Sequence, residues 1–182
     1  MTLKNLNKTE TNIESSARFS VAPMMDWTDR HCRYFHRQFM NKSLLYTEMV
    51  AAAALVQGKA FHLLDHSAEE HPLALQLGGS DPIQLAEAAS IGEYHGYDEI
   101  NLNVGCPSDR VQSGSFGAVL MKNPKLVAAC CEAMRRSISI NVTVKCRIGV
   151  DDQDPEQILP EFLSHISNSG VTRVIIHARK AI

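Results

Sequence analysis

Glu99-Ile100-Asn101-Leu102-Asn103-Val104-Gly105-Cys106-Pro107 decides the fold: a short β-prone run, expected as a strand over Glu99 to Val104, that stops abruptly in a Gly-Cys-Pro corner. Runs of the same kind are expected as strands at Phe19 to Met25, Leu44 to Val50, Leu73 to Gly78, Asn141 to Arg147 and Arg173 to His177. Longer stretches of helical periodicity separate them, which is the pattern of repeated βα units and a parallel sheet. Asp81-Pro82, Asn123-Pro124 and Asp154-Pro155 each set a capping side chain before a proline at the first helical position, and Gln157 could close a capping box with Asp154. Between Asn123 and Ile138, the residues Leu126, Val127, Cys130, Cys131 and Met134 recur at i, i+3, i+4 spacing and mark one buried helix face. The run Arg135-Arg136 reads as the solvated side of that helix.

Such units build either an open doubly wound sheet or a closed eight-stranded barrel. The strand ends decide between them. They read Pro23-Met24-Met25-Asp26, Glu48-Met49, Gln76-Leu77-Gly78-Gly79, Asn101 to Pro107, Lys145-Cys146-Arg147 and His177-Ala178-Arg179, so polar or reactive groups stand at nearly every carboxyl end. In a (β/α)8 barrel these ends converge on one mouth. An open dinucleotide-binding sheet would carry Gly-x-Gly-x-x-Gly after its first strand, and none is present. The expected fold class is therefore α/β, a TIM-type (β/α)8 barrel. The fold needs about 250 residues, so the chain of 182 is expected to be truncated to about six strands, without the loops after strands seven and eight that usually hold a cofactor phosphate.

Composition sets outer limits. With 45% hydrophobic and 21% charged residues the chain is an ordinary globular sequence. Its formal net charge of -2 gives no bulk attraction to phosphate, so a nucleic-acid partner would need a local basic face. The five cysteines, Cys32, Cys106, Cys130, Cys131 and Cys146, include no Cys-x-x-Cys pair; reduced thiols, no metal and a cytoplasmic location are expected. No apolar run approaches the roughly 18 residues of a membrane span. Residues 1–17 are rich in Asn, Thr, Ser and Lys, lack the apolar segment of a secretory signal, and are expected to be a disordered leader before a domain at 18–182.

A thiol in the Cys106 corner can act as nucleophile, metal ligand or proton donor, or simply pack at a strand end. Lys145 interrupts Val142-Thr143-Val144, where burial of an ammonium is costly unless an anion or polar group meets it; the alternative is a lysine that reaches solvent at the strand mouth. Taken singly, His177 and Gln76 are more often satisfied polar groups than ligand contacts. In a barrel, however, Gln76, Asn103, Cys106, Lys145 and His177 share one mouth. Amide, ammonium and imidazole donors together suit a heterocycle with several acceptors.

The ordered series Ala22-Pro23-Met24-Met25-Asp26-Trp27-Thr28-Asp29, Leu75-Gln76-Leu77-Gly78-Gly79, Asn101 to Ser108, Val144-Lys145-Cys146-Arg147-Ile148-Gly149 and Ile176-His177-Ala178-Arg179-Lys180-Ala181 resembles the tRNA-dihydrouridine synthases from about Arg18 to Ala181. The stretches Met-Met-Asp-Trp-Thr-Asp and His-Ala-Arg-Lys-Ala are most similar to the A-type bacterial members. The resemblance implies a bound FMN, reduced by NADPH, that passes hydride to C6 of a uridine in the tRNA D-loop, at U20 and U20a, while a cysteine protonates C5. It puts Cys106 in the place of that acid. It further implies that Pro23, Met24 and Met25 line the flavin, Gln76 bonds its ring edge, Lys145 approaches the N1/O2 side, His177 sits near the cofactor and Asn103 touches the uridine. Arg110, Arg147, Arg179 and Lys180 are the expected phosphate contacts of the tRNA. A helical C-terminal domain of that family has no counterpart in the sequence; a monomer without membrane or metal partners is expected. Two other readings stand beside this one: a barrel flavoenzyme of the dihydroorotate dehydrogenase type, and an inactive fragment that holds neither flavin nor tRNA.

Overall fold

The computed structural model describes residues 13–108 and 116–182. Six strands form one parallel sheet: β1 (Ser20–Val21), β2 (Leu44–Ala51), β3 (Leu73–Gly78), β4 (Glu99–Val104), β5 (Asn141–Cys146) and β6 (Val174–Ile176). Their order is strictly sequential, each strand beside the next. A doubly wound sheet reverses strand order at a switch point, whereas a barrel does not, so the arrangement is the six-stranded part of a barrel wall. Helices α1 (Arg30–Phe39), α2 (Ala52–Val56), α3 (Pro82–Tyr94), α4 (Pro124–Ser137) and α5 (Pro155–Asn168) connect the strands. None of them is long and apolar enough to cross a membrane.

Local chemistry sets the helix starts. Asp81 accepts hydrogen bonds from the Ile83 and Gln84 N–H groups, Asn123 from Leu126 and Asp154 from Glu156, each ahead of a proline that has no N–H to lose. Asp154 thus spends its carboxylate on Glu156, and Gln157 meets it only through backbone, so the expected box with Gln157 does not form among the described bonds. Val127, Cys130, Cys131 and Met134 of α4 are buried as the periodicity predicts, and burial pushes the Cys130 and Cys131 thiols up to about 12. Arg136 pairs with Glu132 on the exposed face, but Arg135 departs from the expected solvated side: it donates to Ser169 O at 3.0 Å, at the carbonyl end of α5, where a cation is favoured. Close packing of helix on sheet depends on Gly92 of α3, where a Cβ would come within 2.7 Å of Leu75 and 2.8 Å of Ile100.

Several strand ends differ from expectation by one residue, and two boundaries differ by more. β1 ends at Val21, not Met25, because the Thr28 hydroxyl both donates to Met24 O and accepts from Met24 N–H, both at 3.0 Å, and folds the segment into a turn. Arg33 braces this turn by donating to Thr28 O while its Nε bonds Glu70 Oε2 at 2.6 Å in a buried pair. Of the expected leader only residues 13–17 are described; residues 13–16 are helical and Ile13 is buried.

Candidate active site

The alternation within β4 organises the site. Ile100, Leu102 and Val104 face the core shared with the helices, while Glu99, Asn101 and Asn103 lie on the opposite, inner face of the sheet, also buried. At the carboxyl end of the strand, Asn103 Oδ1 accepts the N–H groups of Gly105 at 3.0 Å and Cys106 at 2.9 Å, which holds the Gly-Cys-Pro corner in place. Its amide nitrogen donates to Gln76 Oε1 at 2.8 Å, and Gln76 Nε2 donates to Asn101 Oδ1 at 2.8 Å. Parallel register sets Lys145 of β5 beside Asn103.

These groups surround a cavity of about 310 Å³ at the carboxyl ends of the strands. Pro23, Met25 and Met49 supply apolar wall; Gln76, Asn103, Cys106, Lys145, Arg147 and His177 supply polar atoms; Gly105 and Pro107 complete the rim. The volume lies at the lower end of small-molecule pockets. Cys106 is partly exposed, with its Sγ 3.5 Å from Ser108 Oγ. No hydrogen bond or ion pair satisfies the Lys145 ammonium among the described residues. Burial, and secondarily the Arg147 charge, push its pKa down. Arg147 donates from Nε to Gly105 O at 2.9 Å and clamps β5 to the Cys106 corner. Chiefly through the Arg147 charge, with Lys145 and Arg179 adding to it, His177 is held below the usual imidazole range. The mouth is therefore electropositive and prepared for an anionic or acceptor-rich guest.

The structure thus brings together Pro23, Met25, Gln76, Asn103, Cys106, Lys145, Arg147 and His177. It leaves Met24, Arg179 and Lys180 off the cavity wall. Met24 is exposed and its backbone is engaged with Thr28; Lys180 Nζ reaches Gln153 O at 3.3 Å; Arg179 is exposed beyond His177. Arg110 lies outside the described residues. Sequence reasoning assigned no role to Met49, although it closes the second strand-end signal, nor to the buried polar residues below Gln76 and Asn103. Burial of Cys146, whose thiol is pushed up to about 11, separates it from the partly exposed Cys106.

Residues 20–181 match the family model described as Dihydrouridine synthase (Dus). The chain is 60% identical over 173 residues to the tRNA-dihydrouridine(20/20a) synthase of Escherichia coli K12, covering 94% of this chain and 50% of that protein. It is 59% identical over 175 residues to the protein of the same name from Salmonella typhi, covering 96% and 52%, and 60% identical over 164 residues to that of Pasteurella multocida, covering 90% and 50%. The chain spans about half the length of the curated relatives it matches.

Proposed function

Because the chain belongs to the dihydrouridine synthase family, we propose that it serves the reduction of uridine to 5,6-dihydrouridine in the tRNA D-loop, at U20 and U20a, in the cytoplasm, with FMN as cofactor and NADPH as reductant. The observation that carries this reading is the gathering of Cys106, Asn103, Gln76 and Lys145 around one cavity of about 310 Å³. The donor set fits a flavin ring. Gln76 and Asn103 each commit one amide hydrogen to a neighbour, which leaves one apiece for a guest. Lys145 holds a partly desolvated cation with no anion to meet it among the described residues, a suitable partner for charge on a reduced isoalloxazine near N1. Pro23, Met25 and Met49 offer apolar contact to the ring.

When bound, the flavin supplies hydride to C6 of the uracil. The protein's part is to position and protonate. Cys106 Sγ–H donates its proton to C5 from the rim, where the thiol is accessible and the Asn103 clamp fixes its backbone. Asn103, at the same corner, would offer its remaining amide hydrogen to a uracil carbonyl. The base must leave its stack to reach this depth, and the positive rim of Arg147, with Arg179 and Lys180 beyond the wall, suits phosphates on either side of the extruded nucleotide. Met24 follows the same turn as Pro23 and Met25 and could contact the flavin only from outside the wall described. The test is dihydrouridine at positions 20 and 20a of tRNA from cells that depend on this gene. Cys106→Ala is expected to lower its formation at least about 100-fold at unchanged protein level; undiminished dihydrouridine would refute the assignment.

A further inference from the structure

A chain of hydrogen bonds runs from the Cys106 corner down the inner face of the sheet, through residues to which no function has been attached. Below Gln76, Asn101 Nδ2 donates to Thr143 Oγ1 at 2.9 Å, and the Thr143 hydroxyl donates to Glu99 Oε1 at 2.6 Å. Glu99 is fully buried, pairs with Arg173 through its other oxygen, and accepts from the Tyr46 hydroxyl at 3.3 Å. Cross-strand register makes the chain possible, since Asn101 lies beside both Gln76 and Thr143.

The polarity of this chain is determined. A carboxylate only accepts, so the Thr143 hydroxyl must donate to Glu99 and can only accept from Asn101. Asn101 then turns its carbonyl to Gln76, which must answer with Nε2, and Gln76 turns its carbonyl to Asn103. At the other end the backbone N–H groups of Gly105 and Cys106 only donate, and they require the Asn103 oxygen. Both ends impose the same orientation on every amide between them. The consequence at the cavity is that Gln76 and Asn103 offer N–H, not C=O, to a guest.

We propose that Glu99, Thr143 and Asn101 are positioning residues that lock the amides of Gln76 and Asn103 donor-outward, so that Gln76 selects the acceptor edge of the flavin ring and Asn103 a carbonyl of the uracil. The proposal rests on the flavin reading above. It does not need any of the three to touch cofactor or substrate. Losing a rung leaves a buried amide group unpaired and removes the lower of the two constraints that hold Gln76, so that its amide is fixed from the Asn103 side alone.

The experiment compares the full 182-residue chain with Thr143→Val and Asn101→Leu, which interrupt the relay at different rungs with little change of volume, and with Thr143→Ser, which keeps the hydroxyl. FMN is titrated into each, followed by flavin fluorescence, and the midpoint potential of the bound flavin is measured. Thr143→Val and Asn101→Leu are expected to weaken FMN binding about tenfold. They should also lose about tenfold of the preference for reduced over oxidised flavin, a potential lower by about 30 mV for a two-electron couple. Thr143→Ser should stay within about twofold of the unsubstituted chain in both. A purely structural rung would change thermal stability but not the potential. If FMN binds the unsubstituted chain and the two interrupted variants match it in affinity and potential, the relay is refuted while the flavin reading survives. If the unsubstituted chain does not take up FMN, the relay's proposed purpose is refuted, and the flavin reading is then judged by dihydrouridine formation alone.

Discussion

Lys145→Met is the most informative single change. It keeps the length of the aliphatic stem and removes the charge, at a position flanked by Val144 and Cys146 on β5 and facing Asn103 across the ladder. Nothing among the described residues pairs with the ammonium, which leaves it for a guest. A hydrogen bond to a charged group contributes about 1.5 to 3 kcal/mol, and each 1.4 kcal/mol is tenfold in affinity, so FMN should bind Lys145→Met about 10- to 150-fold more weakly. The stability of the flavin-free protein should move the other way. Burial and the Arg147 charge depress the Lys145 pKa, so the folded state holds the ammonium at a penalty that is in full force below that lowered pKa. The flavin-free variant should therefore melt no lower, and by this effect higher, than the unsubstituted protein at pH 7. That advantage should shrink as pH rises through the lowered Lys145 pKa, because the folded unsubstituted protein sheds the proton first. Fluorescence titration gives the affinity and thermal melts at pH 7 and 10 give the stability. Undiminished FMN affinity together with a lower melting temperature would mean that Lys145 is a structural residue, and the reasoning would be wrong.

The charge cluster makes a further prediction: Arg147→Met should raise the His177 titration midpoint toward the ordinary imidazole value, because the Arg147 charge is the first cause of its depression; NMR of the ring protons measures it, and an unmoved midpoint would contradict the assigned cause. Glu70→Ala should cost about 3–5 kcal/mol by leaving the buried Arg33 guanidinium without its counter-charge. Chemical denaturation reads this, and a loss under about 1 kcal/mol would show that Arg33 finds water or another acceptor.

Much of this molecule was legible before any coordinates. The β3 and β4 boundaries coincide with expectation, and the helix starts follow from a capping side chain before proline, because both signals are local and involve residues within one turn or one strand. β1 was overextended because the Thr28 hydroxyl, a side chain beyond the strand, competes for the Met24 backbone. The mouth was legible too: strand ends that close on Gln76, Asn103, Cys106, Lys145 and His177 must converge if the strands are parallel and sequential. Met24, assigned to the flavin through the family resemblance, and Arg179 and Lys180, expected as phosphate contacts, lie off the cavity wall.

By itself, the sequence determined the βα alternation, the sequential barrel wall and the reactive corner at Cys106, since these follow from periodicity, turn chemistry and the position of polar residues at strand ends. Only the tertiary structure decided that Glu99, Asn101 and Thr143 stand in line beneath that corner. Their alignment depends on the register between strands separated by more than forty residues, as Asn101 is from Thr143. A one-residue slip would turn those side chains to the opposite face. The fold thus chooses which buried polar groups meet, and through them which atoms the cavity presents.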